Sequence, residues 1–281
     1  MFTIDGLECS YEAMGETLWG PDEVMLDEDD DLASGLSWSD RGYCVTRFLD
    51  PADNELLREG FRQNVRRMLA EAGAQTEGSF ALEDYHRVVD HERHRAVVRQ
   101  IQARMPPDWF PVPIERVEDR LSSICDVRLR VFRNNLGNPA FWLRIVRPGQ
   151  RDYNPLHRDV WLDRLRNKIN IYFPLAGSDA RSSLCMVPGS HRWKESELQR
   201  TGQGATIDGV SFTVPAVVGA KREIAATRPN PGPEEVLVFS PYLVHGNATN
   251  SNPDATRVSL EIRFERVPTG DPEPSTGGPD R

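Results

Sequence analysis

The run TRVSLEIRFERV, residues 256–267, is rich in β-branched and aromatic residues and reads as a β-strand. Working outward from it, VRLRVFRN (127–134), AFWLRIVR (140–147), NKINIYFPL (167–175), SLCMVP (183–188) and EEVLVFSP (234–241) share that texture, with clusters of Gly, Pro, Asn and Asp between them. Strands at this spacing predict a barrel or sandwich over the second half of the chain. INIYFPL alternates only in part, so that strand is expected to be buried on both faces. No repeat period is visible.

Upstream the pattern is helical. GYCVTRFLD (42–50) reads as a short strand ending at Asp50, which with Pro51 opens a helix as N-cap and first helical residue. Leu56, Leu57, Phe61, Val65, Met68 and Leu69 recur at helical spacing up to a stop at Gly73. A second helix is predicted over 82–103, and a shorter one after Pro113. Three regions follow: an acidic N-terminal arm (1–40), a domain with N-terminal helices (41–266), and a Pro/Gly-rich tail (267–281) expected to be disordered. The arm contains Leu18, Trp19, Val24, Met25 and Leu26, which are expected to dock on the body. Its DEDDD run (27–31) lacks the glycine and distal Glu of a calcium loop and reads as a solvated charge run.

Composition excludes several classes. The net charge is −9, but residues 1–40 hold twelve Asp/Glu and no Lys or Arg, which leaves the remainder at +3. No basic stripe interleaved with aromatics appears, so nucleic acid is not an expected partner. No apolar run is long enough to span a membrane, and MFTIDGLECS does not read as a secretory signal. Cys9, Cys44, Cys125 and Cys185 form no CxxC, which fits reduced thiols and a cytoplasmic location.

The chemistry begins at PLHRDVWLD (155–163). In an extended segment residues i and i+2 project to one side, so His157 and Asp159 reach one point in space. An imidazole and a carboxylate are two corners of a 2-His-1-carboxylate triad, which holds Fe(II) and leaves positions open. Taken alone, an HxD is more often a surface hydrogen bond. The candidates for a second histidine are His86, His91, His94, His191 and His245. The first three fall on a charged helix and are expected to be ordinary exposed residues. His245 is expected to close one apolar strand, EEVLVFSPYLVHG, and precedes Gly246, which permits close approach. Twelve residues on, Arg257 and Ser259 share a strand face and form a fork for a carboxylate, unless a protein acid pairs with the arginine. Arg181 and Ser183 repeat the RxS spacing in what reads as a loop, so the order of the three elements carries the weight.

In that order the chain resembles the Fe(II)/2-oxoglutarate-dependent dioxygenases, specifically the phytanoyl-CoA-dioxygenase-like branch. MVPGSHRW (186–193), NIYFPL (170–175) and GYCVTRFLDPADNELLREGF (42–61) resemble that branch's segments, whereas 1–40 and much of 75–125 do not. The resemblance implies a double-stranded β-helix (jelly roll, cupin-like), mainly β with flanking helices. It implies His157, Asp159 and His245 as iron ligands, and Arg257 with Ser259 as the anchor for 2-oxoglutarate. Asn170 and Tyr172 fall where the family places side chains beside the cosubstrate, with plain strand packing as the other reading. His191 is expected to be structural, and Trp161 either to line the mouth or, by preference, to pack beneath the barrel. The expected activity is hydroxylation of an unactivated C–H of a small molecule (a sugar, a lipid-derived acid or a natural-product intermediate) using O2, with release of succinate and CO2. The presence of Asp159 favours hydroxylation over halogenation. Segment 192–234 is expected to supply a lid. Rival readings are a cupin-like metalloenzyme without 2-oxoglutarate, a non-catalytic barrel, and an oligomeric scaffold driven by the arm.

Overall fold

The structure, a computed structural model, describes residues 1–27, 29, 31–103, 109–134 and 137–268. Six strands form one antiparallel sheet. Tyr43–Arg47 pairs with Glu235–Phe239, which pairs with Lys168–Ala176, which pairs with Arg257–Arg266. The last strand is flanked on its other side by Phe141–Val146 and, near its end, by Leu129–Val131.

Period-two alternation sorts this sheet into two unlike faces. Val258, Leu260, Ile262 and Phe264 face outward into a core shared with Leu57, Phe61, Val65, Val117 and Leu121 of two helices, Pro51–Glu71 and Ile114–Cys125. The inward face of the same strand carries Arg257, Ser259, Glu261 and Arg263, in register with Arg144, Tyr172 and Asn170 of its neighbours. Lys168–Ala176 is buried on both faces, as its partial alternation implied.

A second set of short strands closes the barrel. His245–Gly246 pairs with Cys185–Met186, and His157 bridges to His245. Leu156, Cys185, Val187, Leu198, Val217 and Val244 pack with Phe2 and Ile4 in a separate core. The chain is a mainly β jelly roll with flanking helices. The N-terminal residues dock as strands: Phe2–Ile4 on Ala225–Ala226, Ala13–Met14 on Ala205–Ile207, and Thr17–Trp19 on Leu198–Thr201.

Asp50 caps the helix Pro51–Glu71 by accepting from Asp53 N (2.9 Å). Gly73, at φ +76°, ends it while Ala74 N donates to Leu69 O. Elsewhere the structure corrects the expected elements. The helix over 82–103 is interrupted: Val89 is extended, and Asp90 accepts from Arg93 N (2.8 Å) to start the separate helix His91–Ala103. EEVLVFSPYLVHG is not one strand. Strand Glu235–Phe239 ends before Pro241, which has no N–H to give a ladder, and a turn closed by Leu243 N to Ser240 O sends His245 to another sheet. The strands of segment 192–234 pair with one another and with the arm. From residue 269 the expected disordered tail lies outside the described residues.

Candidate metal centre

His157, Asp159 and His245 are each at most 5% exposed, and one ligand atom from each lies within 4.8 Å of the others. His157 and His245 exchange backbone hydrogen bonds (2.9 Å each way), which sets their rings 4.4 Å apart. Asp159 follows in an extended turn that leads into a single 3-10 turn, Asp159–Trp161. Gly246 makes the approach possible: its φ is +120°, and a Cβ there would collide with the Pro155 carbonyl oxygen.

Each donor is oriented by a second contact. His157 Nδ1–H donates to Pro155 O (2.7 Å) and His245 Nδ1–H to Leu243 O (2.9 Å), so in both rings the Nε2 lone pair is the one left free. Those nitrogens lie 3.5 and 3.9 Å from Asp159 Oδ1. The other oxygen, Oδ2, accepts from Asn170 Nδ2 (2.9 Å) and from Arg263 Nε and Nη2 (3.0 and 2.9 Å). Burial works against ionisation of Asp159, but the Arg263 guanidinium bonded to it outweighs that and holds its carboxyl well below the usual range. Burial, with His157 adding to it, pushes His245 down to about 4, which keeps the ring in its neutral ligand form. Two imidazole nitrogens and one carboxylate oxygen on one side of a point fit a facial triad and the ferrous ion it holds.

Arg257 is 2% exposed and sits in the same cavity as both histidines. Its Nη1 is 3.3 Å from Ser259 Oγ and 3.5 Å from Tyr172 Oη, and its Nε has no hydrogen-bond partner. Among the described residues no carboxylate lies within ion-pair distance of it. A buried guanidinium without an acid calls for an anionic ligand, so the donor set fits a small oxoacid as well as a metal. Asn170 contacts the candidate ligand Asp159, and Tyr172 bonds Ser178 Oγ (2.8 Å) with its ring under Arg257.

The other histidines stay out of this group. His191 Nε2–H donates to Ser39 O (2.9 Å). His91 is exposed and His86 half-buried against Thr256 and Asp254. His94 corrects the expectation of exposure: it is 4% exposed, with Nε2 3.3 Å from Asp152 and Nδ1 3.1 Å from Tyr85 Oη. The helix face that looked charged is turned inward because Asp152 and Arg147 wait there as partners. Trp161 packs against the second core and donates to Glu195 Oε2 (2.8 Å).

Sequence reasoning missed Arg263, Glu261, Arg144 and Arg158. The first two follow Arg257 and Ser259 at the same parity in the opening stretch, which was the available signal. Arg144 was marked by its place between Leu143 and Ile145. Arg158, the middle residue of the HxD, carried no signal.

A family model described as phytanoyl-CoA dioxygenase (PhyH) matches residues 38–259. Solved structures similar to this chain include AviO1 from Streptomyces viridochromogenes Tue57, at 18% identity, 87% of this chain, 98% of that one and a TM-score of 0.45. Another is EctD from S. alaskensis with 2-oxoglutarate and 5-hydroxyectoine, at 14% identity, 92% and 86% coverage and a TM-score of 0.49. No curated protein matches the sequence.

Proposed function

The chain belongs to the phytanoyl-CoA dioxygenase (PhyH) family, and from that premise we propose that it hydroxylates an unactivated C–H bond of a small molecule. As a member it is an Fe(II)- and 2-oxoglutarate-dependent dioxygenase, whose small-molecule substrate meets O2 in the barrel. No helix among the described residues is long and apolar enough to cross a membrane.

In this reading His157 Nε2, Asp159 Oδ1 and His245 Nε2 hold the iron. Arg263 and Asn170 engage the second oxygen of Asp159, so that only Oδ1 is offered to the ion. Arg257 and Ser259 receive the distal carboxylate of 2-oxoglutarate. The chemistry the ion supplies when bound is activation of dioxygen coupled to decarboxylation of 2-oxoglutarate to succinate. The chain's own contribution is to fix both reactants and to keep the strand behind them dry. Asp159 keeps the carboxylate corner filled, which supports hydroxylation over halogenation.

The observation that carries this reading is a buried arginine lacking a protein acid, in the cavity that also holds the triad's histidines. Anaerobic titration with Fe(II) and 2-oxoglutarate tests it through the weak visible charge-transfer band of the chelate. The band is expected in the parent chain and absent in His157→Ala. Arg257→Ala is expected to keep metal binding while weakening 2-oxoglutarate by about 10–100-fold, the value of a charge-assisted hydrogen bond. Unchanged affinity in both variants would refute the assignment. Iron binding without succinate formation would instead favour a cupin-like enzyme that does not use 2-oxoglutarate.

A further inference from the structure

Charges around the cavity cancel pair by pair. Arg263 is bonded to Asp159, Arg144 Nε to Glu261 Oε2 (2.8 Å), and Asp152 to Arg147 through both oxygens (2.8 and 3.0 Å). Burial alone would push the Glu261 carboxyl up, but Arg144 and Arg263 outweigh it and hold it below the usual range. Among the described lining residues Arg257 is the cation left over, and the iron and 2-oxoglutarate reading above assigns it to the cosubstrate. The wall left for the prime substrate therefore carries no net charge.

That wall is nevertheless polar. Arg144, Tyr153, Asn154 and Glu261 line it, and Leu184 and Ala248 are its apolar side chains. The bond between Arg144 and Glu261 uses only Nε of the guanidinium and Oε2 of the carboxylate. Four polar residues from three segments thus line one cavity, which is how a site encodes orientation. An acyl chain would strip their water and return no hydrogen bonds. An anion would meet Glu261 beside Arg144. A guanidinium donor adjacent to a carboxylate acceptor complements neighbouring hydroxyls, each of which both donates and accepts.

We infer that the prime substrate is a neutral molecule presenting adjacent hydroxyl groups, a glycosyl or other polyol unit, held by Arg144 and Glu261. The inference rests on the oxygenase reading and adds to it the chemical class of the substrate.

The test uses the whole chain loaded anaerobically with Fe(II) and 2-oxoglutarate. Methyl α-D-glucopyranoside, methyl α-D-mannopyranoside and myo-inositol serve as neutral probes, against glucose 6-phosphate and decanoate. The readouts are a shift of the charge-transfer band and, after admitting air, succinate formation. At least one neutral probe is expected to move the band and raise succinate several-fold, with glucose 6-phosphate and decanoate inert. Glu261→Gln is expected to weaken that probe at least tenfold and to strengthen glucose 6-phosphate, because Arg144 then stands uncompensated. Arg144→Met is expected to weaken the neutral probe equally without gaining the phosphate. Both variants should form the band without a probe, which shows that they fold and bind both cofactors. A parent chain that responds to decanoate or glucose 6-phosphate first, or to no neutral probe, overturns the inference, as does unchanged probe affinity in both variants. Failure of the band in the parent chain removes the oxygenase reading and this inference with it.

Discussion

Oδ2 of Asp159 accepts three hydrogen bonds from two residues, and Oδ1 alone faces the histidines. Contacts of this kind typically control metal affinity by 10–100-fold. Arg263→Met is therefore expected to weaken Fe(II) binding by about that factor, and Asn170→Ala, which removes one bond of the three, by less. Competition against a metal-sensitive dye would measure both; equal effects would deny the arginine its leading part. Gly246 is the second sensitive residue. Gly246→Ala meets an unfavourable φ and the Pro155 carbonyl, and is expected to cost about 2 kcal/mol or more while separating His157 from His245. Loss of iron binding together with a lower denaturation midpoint would report it. At this scale the sequence was legible where spacing alone sets geometry: His157 and Asp159 are two apart, as are Arg257 and Ser259. The Arg263–Asp159 contact spans 104 residues, and no local rule places those two side chains together.

The segment that carries His157 and Asp159 has little regular structure of its own, so something must hold it. Arg158 points away from the cavity, is fully buried, and is bonded to Glu195 and to the carbonyls of Ser190 and Trp193. Ser190 Oγ in turn accepts from Val244 N (2.8 Å), one residue before His245. The PGSH turn thus clamps both segments that carry the candidate ligands from behind. Glu195→Ala leaves Arg158 buried without its acid and is expected to cost about 3–5 kcal/mol in urea unfolding. A second clamp ties the helix His91–Ala103 to the strand end through His94, Asp152 and Arg147. Burial raises the Asp152 carboxyl, but His94 and Arg147 outweigh it and hold it far below the usual range. A carboxyl depressed on folding stabilises fully above its unfolded value of about 3.9 and loses that contribution as pH falls toward the folded value. The stability gap between the parent chain and Asp152→Asn should then be widest near neutrality and close below about pH 4. A gap that widens in acid would contradict the assignment. Strand and helix identities were largely legible here, whereas their interruptions at Asp90 and Pro241 were decided by one cap and one missing N–H.

Across the whole molecule the N-terminal residues complete the smaller sheets rather than trail from them. Phe2 and Ile4 are buried against Ile224, Ala226 and Val217 in the second core. Ile4→Ala is expected to destabilise the chain by about 2–4 kcal/mol, measurable by thermal or urea unfolding. A change under about 0.5 kcal/mol, as at ordinary surface sites, would mean that the arm is dispensable. Docking of the arm was legible but not its residues: Leu18, Trp19 and Val24, expected to dock, stay exposed while Phe2 and Ile4 are buried, because a few apolar residues among twelve acids give no periodic signal and the partners lie some two hundred residues away. By itself the sequence determined the class of fold and the order of the main strands along the chain, and it marked the candidate iron and cosubstrate residues, since each is written in the two-residue repeat of a strand or in short fixed spacings. The tertiary structure alone decided which inward charges meet: Arg263 with Asp159, Arg144 with Glu261, Arg158 with Glu195. Those pairings depend on register between strands and on chain reversals, and a one-residue slip in either would exchange every inward side chain for an outward one.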